Sequence, residues 1–245
     1  MQEPQDTHWT VVKCILRYLK FTSDHKFSIY HSSSHSLTAY SDFDWVGCPD
    51  DRRSTSGYCT FLRRNLLSWN SKKQPTVSRS STESAYKALA NASTELVWIQ
   101  ALLYELGQHF QCPLILHCDN IGATYLSSNP MFHARTKHIA VDYHFVRDLV
   151  AAKELQIHFI SGKDQIADIL TKPLVSQKFL VLKSNLNVRM PTSSLRGRIG
   201  INNSQPTNCD EDKDKDNGKG SLIKQNQELK WTTSLKTIWI ELGFY

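Results

Sequence analysis

Pro113-Leu114-Ile115-Leu116-His117-Cys118-Asp119-Asn120 is the stretch whose reading decides the fold. A proline precedes it, and the run Leu114-Ile115-Leu116 is too short for a helix and bounded like a buried strand. Such a strand delivers Asp119 and Asn120 to its C-terminal end, where α/β sheets gather their ligands. Upstream, a long helix is predicted over about 81–107. It opens with Ser80-Ser81-Thr82-Glu83, whose hydroxyl and carboxylate can meet orphan backbone N–H groups, and it closes on a glycine. Tyr86, Leu89, Ala90, Leu96, Val97, Ile99 and Leu103 supply its apolar contacts.

Working outward, β-rich runs at 27–30, 37–41, 57–62 and 66–69 are separated by Pro49-Asp50-Asp51 and Arg63-Arg64-Asn65, a loop and a tight turn. An antiparallel meander is the economical arrangement. Downstream come helices at about 121–126 and 137–153, a strand at 156–160 and a helix at about 165–171. The order β-β-β-α-β-α-α-β-α predicts a mixed sheet flanked by helices. At the start, Trp9, Val12, Leu16 and Leu19 recur at helical spacing after Thr7, which predicts an amphipathic helix. Beyond about Leu186 the chain turns small, polar and then charged, as a linker or disordered tail does.

The 245 residues suffice for one main core with appendages. No stretch of about 18 apolar residues offers a membrane span, and no basic segment followed by an apolar one marks a secretory signal. Six cysteines without a C-x-x-C pair argue against a zinc site or disulfide framework. They suit a reducing, intracellular compartment, cytoplasmic or nuclear. The net charge is +6, and the segment from Asp51 to Lys87 alone carries that much, which makes it a candidate phosphate-binding face.

Three carboxylates fall at element ends that an α/β fold can bring together: Asp42 after one strand, Asp119 after another, and Asp168 near the start of a late helix. Clustered carboxylates need a cation, and hard oxygen ligands suit Mg²⁺ or Mn²⁺. Two such ions about 4 Å apart activate water and stabilise the leaving oxygen in phosphodiester hydrolysis. Asp44 reads instead as a turn residue past its strand. His133, His138 and His144 show no regular zinc spacing, and Trp45 and Trp69 are expected in the core, with stacking on a sugar or base as the alternative.

The motifs around these carboxylates are Thr38-Ala39-Tyr40-Ser41-Asp42-Phe43-Asp44-Trp45-Val46-Gly47, Arg53-Ser54-Thr55-Ser56-Gly57-Tyr58, Ser68-Trp69-Asn70-Ser71-Lys72-Lys73-Gln74-Pro75-Thr76-Val77-Ser78-Arg79-Ser80-Ser81-Thr82-Glu83, Cys118-Asp119-Asn120, His133-Ala134-Arg135-Thr136-Lys137-His138-Ile139 and Ala167-Asp168-Ile169-Leu170-Thr171-Lys172-Pro173-Leu174. In order and spacing they resemble the ribonuclease H region of copia-type retrotransposon Pol polyproteins, over roughly 7–186. His8-Trp9 with Ile15-Leu16-Arg17-Tyr18-Leu19-Lys20 resembles the helix joining reverse transcriptase to that region. The resemblance implies a ribonuclease H-like five-stranded mixed sheet that cleaves the RNA strand of an RNA/DNA hybrid with two Mg²⁺ or Mn²⁺ ions. It implies the reverse transcriptase portion of the same polyprotein as a partner, and no membrane. Residues 1–30 then read as the end of the connection, 31–186 as the ribonuclease H-like domain and 187–245 as linker and tail. Lys72, Lys73, Arg79, Arg135 and Lys137 become phosphate contacts.

Of the four acidic ligands that the family carries, the first, third and fourth fall on Asp42, Asp119 and Asp168. The second falls on Ala85. Glu83 lies two residues earlier, roughly 200° around a helix, so it points away from the face that Ala85 occupies. The resemblance therefore implies an impaired hydrolase, with a degenerate or domesticated nucleic-acid-binding fragment as the alternative.

Overall fold

The computed structural model describes residues 6–31, 36–110, 112–129 and 139–190. Its elements in chain order are α1 (Asp6–Thr22), β1 (Lys26–Phe27), β2 (Leu37–Asp44), β3 (Thr55–Leu62), β4 (Asn65–Lys73), α2 (Ser81–Glu105), β5 (Leu114–Cys118), α3 (Ile121–Ser128), α4 (Ala140–Ala151), β6 (Leu155–Phe159), α5 (Asp168–Thr171), α6 (Ser176–Asn185) and β7 (Val188–Arg189). Five strands form one sheet in the order β4-β3-β2-β5-β6. The meander β2-β3-β4 is antiparallel, whereas β5 joins β2 and β6 joins β5 in parallel. This is the mixed sheet that the strand and helix order predicts.

The long helix α2 provides the cover for one face. Its N-cap is Ser80, whose Oγ accepts from Glu83 N at 3.1 Å, while Glu83 Oε2 accepts from Arg79 N at 2.9 Å. Side chain and backbone satisfy each other much as in a capping box, which fixes where the helix begins. From there Tyr86, Leu89 and Leu96 meet Leu37 and Ala39 of β2, Leu114 and Leu116 of β5, and Tyr143 and Val146 of α4 in one buried cluster. Burying such apolar area, at about 25 cal/mol per Å², is what holds the layers together. Gln74, itself buried, donates to Ser56 Oγ (2.7 Å) and Ser84 O (3.0 Å) and accepts from Ser78 Oγ (2.8 Å). It ties the loop after β4 to both β3 and the first turn of α2.

A smaller cluster of Cys59, Phe61, Ala167 and Leu186 marks a second packing region, where α5 lies on β3. Gly57 makes that approach possible. A Cβ there would lie 2.7 Å from Thr171 Cγ2 and 3.0 Å from Leu170 Cβ. Since Gly57 is the register partner of Asp42, this absent side chain is what lets α5 come down beside Asp42.

Several sequence expectations need correction. The run at 27–30 yields only the two-residue β1, paired with β7 outside the main sheet, and Ile29 is exposed. The helix expected from 165 begins at Asp168, after a turn, and α6 with β7 follow it without having been foreseen. Trp45 and Trp69 are not core residues. They are 46% and 52% exposed, Trp45 Nε1 donating to Ser78 O and Trp69 lying against Phe27. In α1 the apolar residues Trp9, Leu16 and Leu19 are exposed. Most of the tail, 191–245, lies outside the described residues.

Gly57→Ala is expected to push α5 off β3 and to destabilise the domain by about 1–3 kcal/mol, as overpacking does. Urea denaturation checks this as a lowered midpoint with an unchanged slope.

Candidate metal centre

The three carboxylates singled out in the sequence converge. Asp42 is in the C-terminal half of β2, Asp119 follows β5 directly, and Asp168 is the first residue of α5. Because β2 and β5 are parallel neighbours, their C-terminal ends lie side by side, with Ser41 in register with Cys118. Gln165, fully buried, donates from Nε2 to Ser41 O (3.0 Å) and accepts from Ala167 N (3.2 Å), which holds the turn before α5 against the same strand. One oxygen from each carboxylate comes within 4.8 Å of the others, and no His, Cys or Glu joins this group among the described residues. Asp44 lies outside it, as the last residue of β2 rather than in a turn past the strand, and Asp42 stands within that strand rather than after it. His144 sits on α4 edge-on to Tyr143, while His133 and His138 lie outside the described residues.

Two lysines that sequence reading had given no role enter the cluster. Lys172 Nζ lies 2.9 Å from Asp42 Oδ1, 2.7 Å from Asp168 Oδ1 and 3.8 Å from Asp119 Oδ2. Lys178, from α6, reaches Asp168 Oδ2 and also donates to Gly162 O at 3.0 Å. Thr171 donates its hydroxyl to Asp42 Oδ2. The i,i+4 spacing of Asp168 and Lys172 carried a local signal for their pairing. Lys178 and the Thr171–Asp42 bond carried none, because each depends on how α5 and α6 return to the sheet.

Asp42 is 1% exposed, and burial pushes its carboxyl up to about 7, with Asp119 and Asp168 adding to the rise and Lys172 and Thr171 opposing it. For Lys172, burial opposes the charge, but Asp42 and Asp168 outweigh it and hold the ammonium protonated. Asp119 Oδ1 is buried without a hydrogen-bond partner. An orphaned carboxylate oxygen amid hard oxygen donors fits a divalent cation, since a cation satisfies lone pairs that no protein donor meets.

Position 85, where the resemblance implies a further carboxylate, is apolar in its surroundings. Ala85 is fully buried in the same cluster as Cys118, the residue before Asp119. Glu83 does not stand in for it. Its carboxylate accepts from Arg79 N and pairs with Lys87 at 2.8 Å.

Of the basic candidates, Lys72 and Arg79 are exposed, whereas Lys73 Nζ lies 3.0 Å from Cys48 Sγ and 3.5 Å from Asp51. Arg135 and Lys137 lie outside the described residues. The basic segment is not one face: Arg63 and Arg64 sit at the hairpin turn between β3 and β4, at the opposite end of these strands from Lys72 and Lys73. A cleft of about 450 Å³ there, lined by Tyr40, Arg63, Arg64, His117 and Arg189 among others, contains none of the three carboxylates.

A five-stranded sheet of this order, with carboxylates from two adjacent parallel strands and a following helix, defines a ribonuclease H-like domain. The chain is 48% identical over 201 residues to the retrovirus-related Pol polyprotein from transposon RE2 of Arabidopsis thaliana, covering 82% of this chain and 14% of that one. It is 39% identical over 183 residues to the corresponding polyprotein from transposon TNT 1-94 of Nicotiana tabacum, covering 75% and 14%. Among solved structures, the N-terminal ribonuclease H domain of Rv2228c from Mycobacterium tuberculosis matches with a TM-score of 0.41 and 12% identity, over 62% of this chain and 98% of that one. No family model matches. Over about four fifths of its length the chain is homologous to part of the Pol polyproteins of copia-type retrotransposons, and it spans about one seventh of the length of the relatives above.

The raised carboxyl of Asp42 predicts a pH dependence whose sign is fixed. A group whose folded pKa exceeds its unfolded value of 3.8 stabilises the fold fully below about 4, and that contribution is lost as pH rises through about 7. Asp42→Asn is therefore expected to raise the melting temperature at pH 8 without divalent ions, with the gain absent at pH 4. Thermal melts of both proteins at the two pH values check this.

Proposed function

We propose that the domain binds RNA/DNA hybrid and that its chemistry is the family's two-ion hydrolysis of the RNA strand, impaired here by Ala85. The observation that carries this reading is the convergence of Asp42, Asp119 and Asp168 at the C-terminal end of β2 and just beyond β5. These residues would hold Mg²⁺ or Mn²⁺, which supplies an activated water and charge stabilisation on the phosphate when bound. The chain's own contribution is to present three carboxylates from rigid elements, with Gln165 and Gly57 fixing the approach of α5. Lys72 and Arg79, both exposed, would meet the phosphate backbone, with Lys73, Arg135 and Lys137 as further contacts. Such contacts are sequence-independent and weaken with salt.

Loss of the fourth carboxylate leaves the ion set short of a ligand, and misplacement of a reacting group by about 1 Å costs on the order of 100-fold in rate. A second reading, a non-catalytic nucleic-acid-binding fragment, is favoured by the same residue, since Glu83 is engaged by Arg79 N and Lys87. Within the longer polyprotein, 1–30 would serve as the end of the connection to reverse transcriptase, 31–186 as the ribonuclease H-like domain and 187–245 as a linker and tail. The exposed apolar residues of α1 fit a helix covered by that neighbour.

Cleavage of labelled RNA/DNA hybrid in Mg²⁺ tests the proposal, with thermal melting as a check on folding. The Ala85→Glu protein is expected to cut at least about 100-fold faster than the natural chain, with Asp119→Asn as the blank. Hybrid binding without cutting by either folded protein would leave only the second reading.

A further inference from the structure

We propose that Lys172 is a tethered cation that competes with a divalent ion for Asp42 and Asp168, so that it sets the metal affinity of the cluster. This rests on the reading of the three carboxylates as a metal centre.

Lys172 Nζ approaches an oxygen of all three carboxylates, at 2.7, 2.9 and 3.8 Å. Its place is that of a coordinated cation rather than a flanking one. It arrives there by two constraints acting together. The short helix α5 puts Lys172 one turn after Asp168, and the absence of a side chain at Gly57 lets that helix press Thr171 and Lys172 against Asp42. With Lys178 also on Asp168, two ammonium groups already meet three carboxylates. Buried Ala85 adds no charge to the centre, so among the described residues no fourth carboxylate favours a doubly charged ion over a singly charged one. Asp119 is left as the member with an unpartnered buried oxygen, the natural first contact for an incoming ion.

The competition is reversible in principle because Lys172 is long and its side chain is 34% exposed, so its ammonium can leave for solvent when an ion enters. Lys178 differs in that it also holds Gly162 O and touches just Asp168 of the three carboxylates, so it is expected to stay. A tethered ammonium has a fixed local concentration, and a free ion must outcompete it. Removal of the amine therefore tightens ion binding even though it weakens the protein without ions.

The experiment is Mn²⁺ binding to the full chain, followed by electron paramagnetic resonance or calorimetry, with no nucleic acid and no turnover. Lys172→Met is expected to bind Mn²⁺ at least about tenfold more tightly than the natural chain, and to melt lower without the ion but gain more from it. Lys172→Arg, which keeps the charge, is expected to stay within about threefold of the natural chain. Equal affinity of Lys172→Met and the natural chain, or no Mn²⁺ binding by the folded Lys172→Met protein, overturns the proposal. Should Lys172→Met fail to fold, the natural chain decides: the Lys172 ¹⁵Nζ resonance must move on Mg²⁺ addition, and a resonance that stays put through saturation overturns it. Failure of the hydrolysis reading alone would show differently, as tighter Mn²⁺ binding by Lys172→Met with no hybrid cleavage by Ala85→Glu.

Discussion

The carboxylate of Asp42, buried near the end of a central strand, constrains everything built around it. Moving an ionised carboxylate out of water is costly unless charge and hydrogen bonds meet it. Here Lys172 and Thr171 do so, and both come from α5 or its C-terminal cap, nearly 130 residues further along the chain. For α5 to reach Asp42, β3 must carry no side chain at Gly57, the turn before α5 must be held by Gln165, and Lys172 must extend inward. Asp119 and Asp168 then arrive within a few ångströms, and their like charges raise the cost further. The centre is thus a place where stability is given up, as functional clusters of titratable groups commonly are.

Helix α2 works against that strain. Its cap, formed by Ser80 and Glu83, and the buried Gln74 network lock its first turn to β3 and to the loop after β4. The same cap explains why Glu83 is unavailable to the centre. Its carboxylate already satisfies a backbone N–H and an adjacent ammonium, so recruiting it as a ligand would leave both unmet. Ala85 is compatible with the fold because alanine favours helix and suits a buried position, which separates survival of the architecture from survival of the chemistry.

Much of this was legible along the chain because it depends on local patterns. The α2 cap, the strand before Asp119 and the β2-β3-β4 meander follow from capping residues, run lengths and turns, and so do the element ends that present Asp119 and Asp168, whereas Asp42 stands inside β2. What failed did so where burial, not pattern, decides. Trp45 and Trp69 have the side chains of core residues, yet one ends on a loop carbonyl and the other at a flank beside Phe27. The run at 27–30 has β character but too few partners to extend a sheet, so only two residues pair.

The sequence by itself determined the order of elements, the family resemblance and the presence of alanine at position 85, since each is written in residue types and their spacing. Only the tertiary structure decided that Lys172 and Lys178 stand among the carboxylates, that Gly57 is the opening through which α5 reaches Asp42, and that the basic segment is split between two ends of a hairpin. The physical reason is common to all three. A contact between residues far apart in the chain depends on how packed layers return the backbone to one place, and no local periodicity encodes that return.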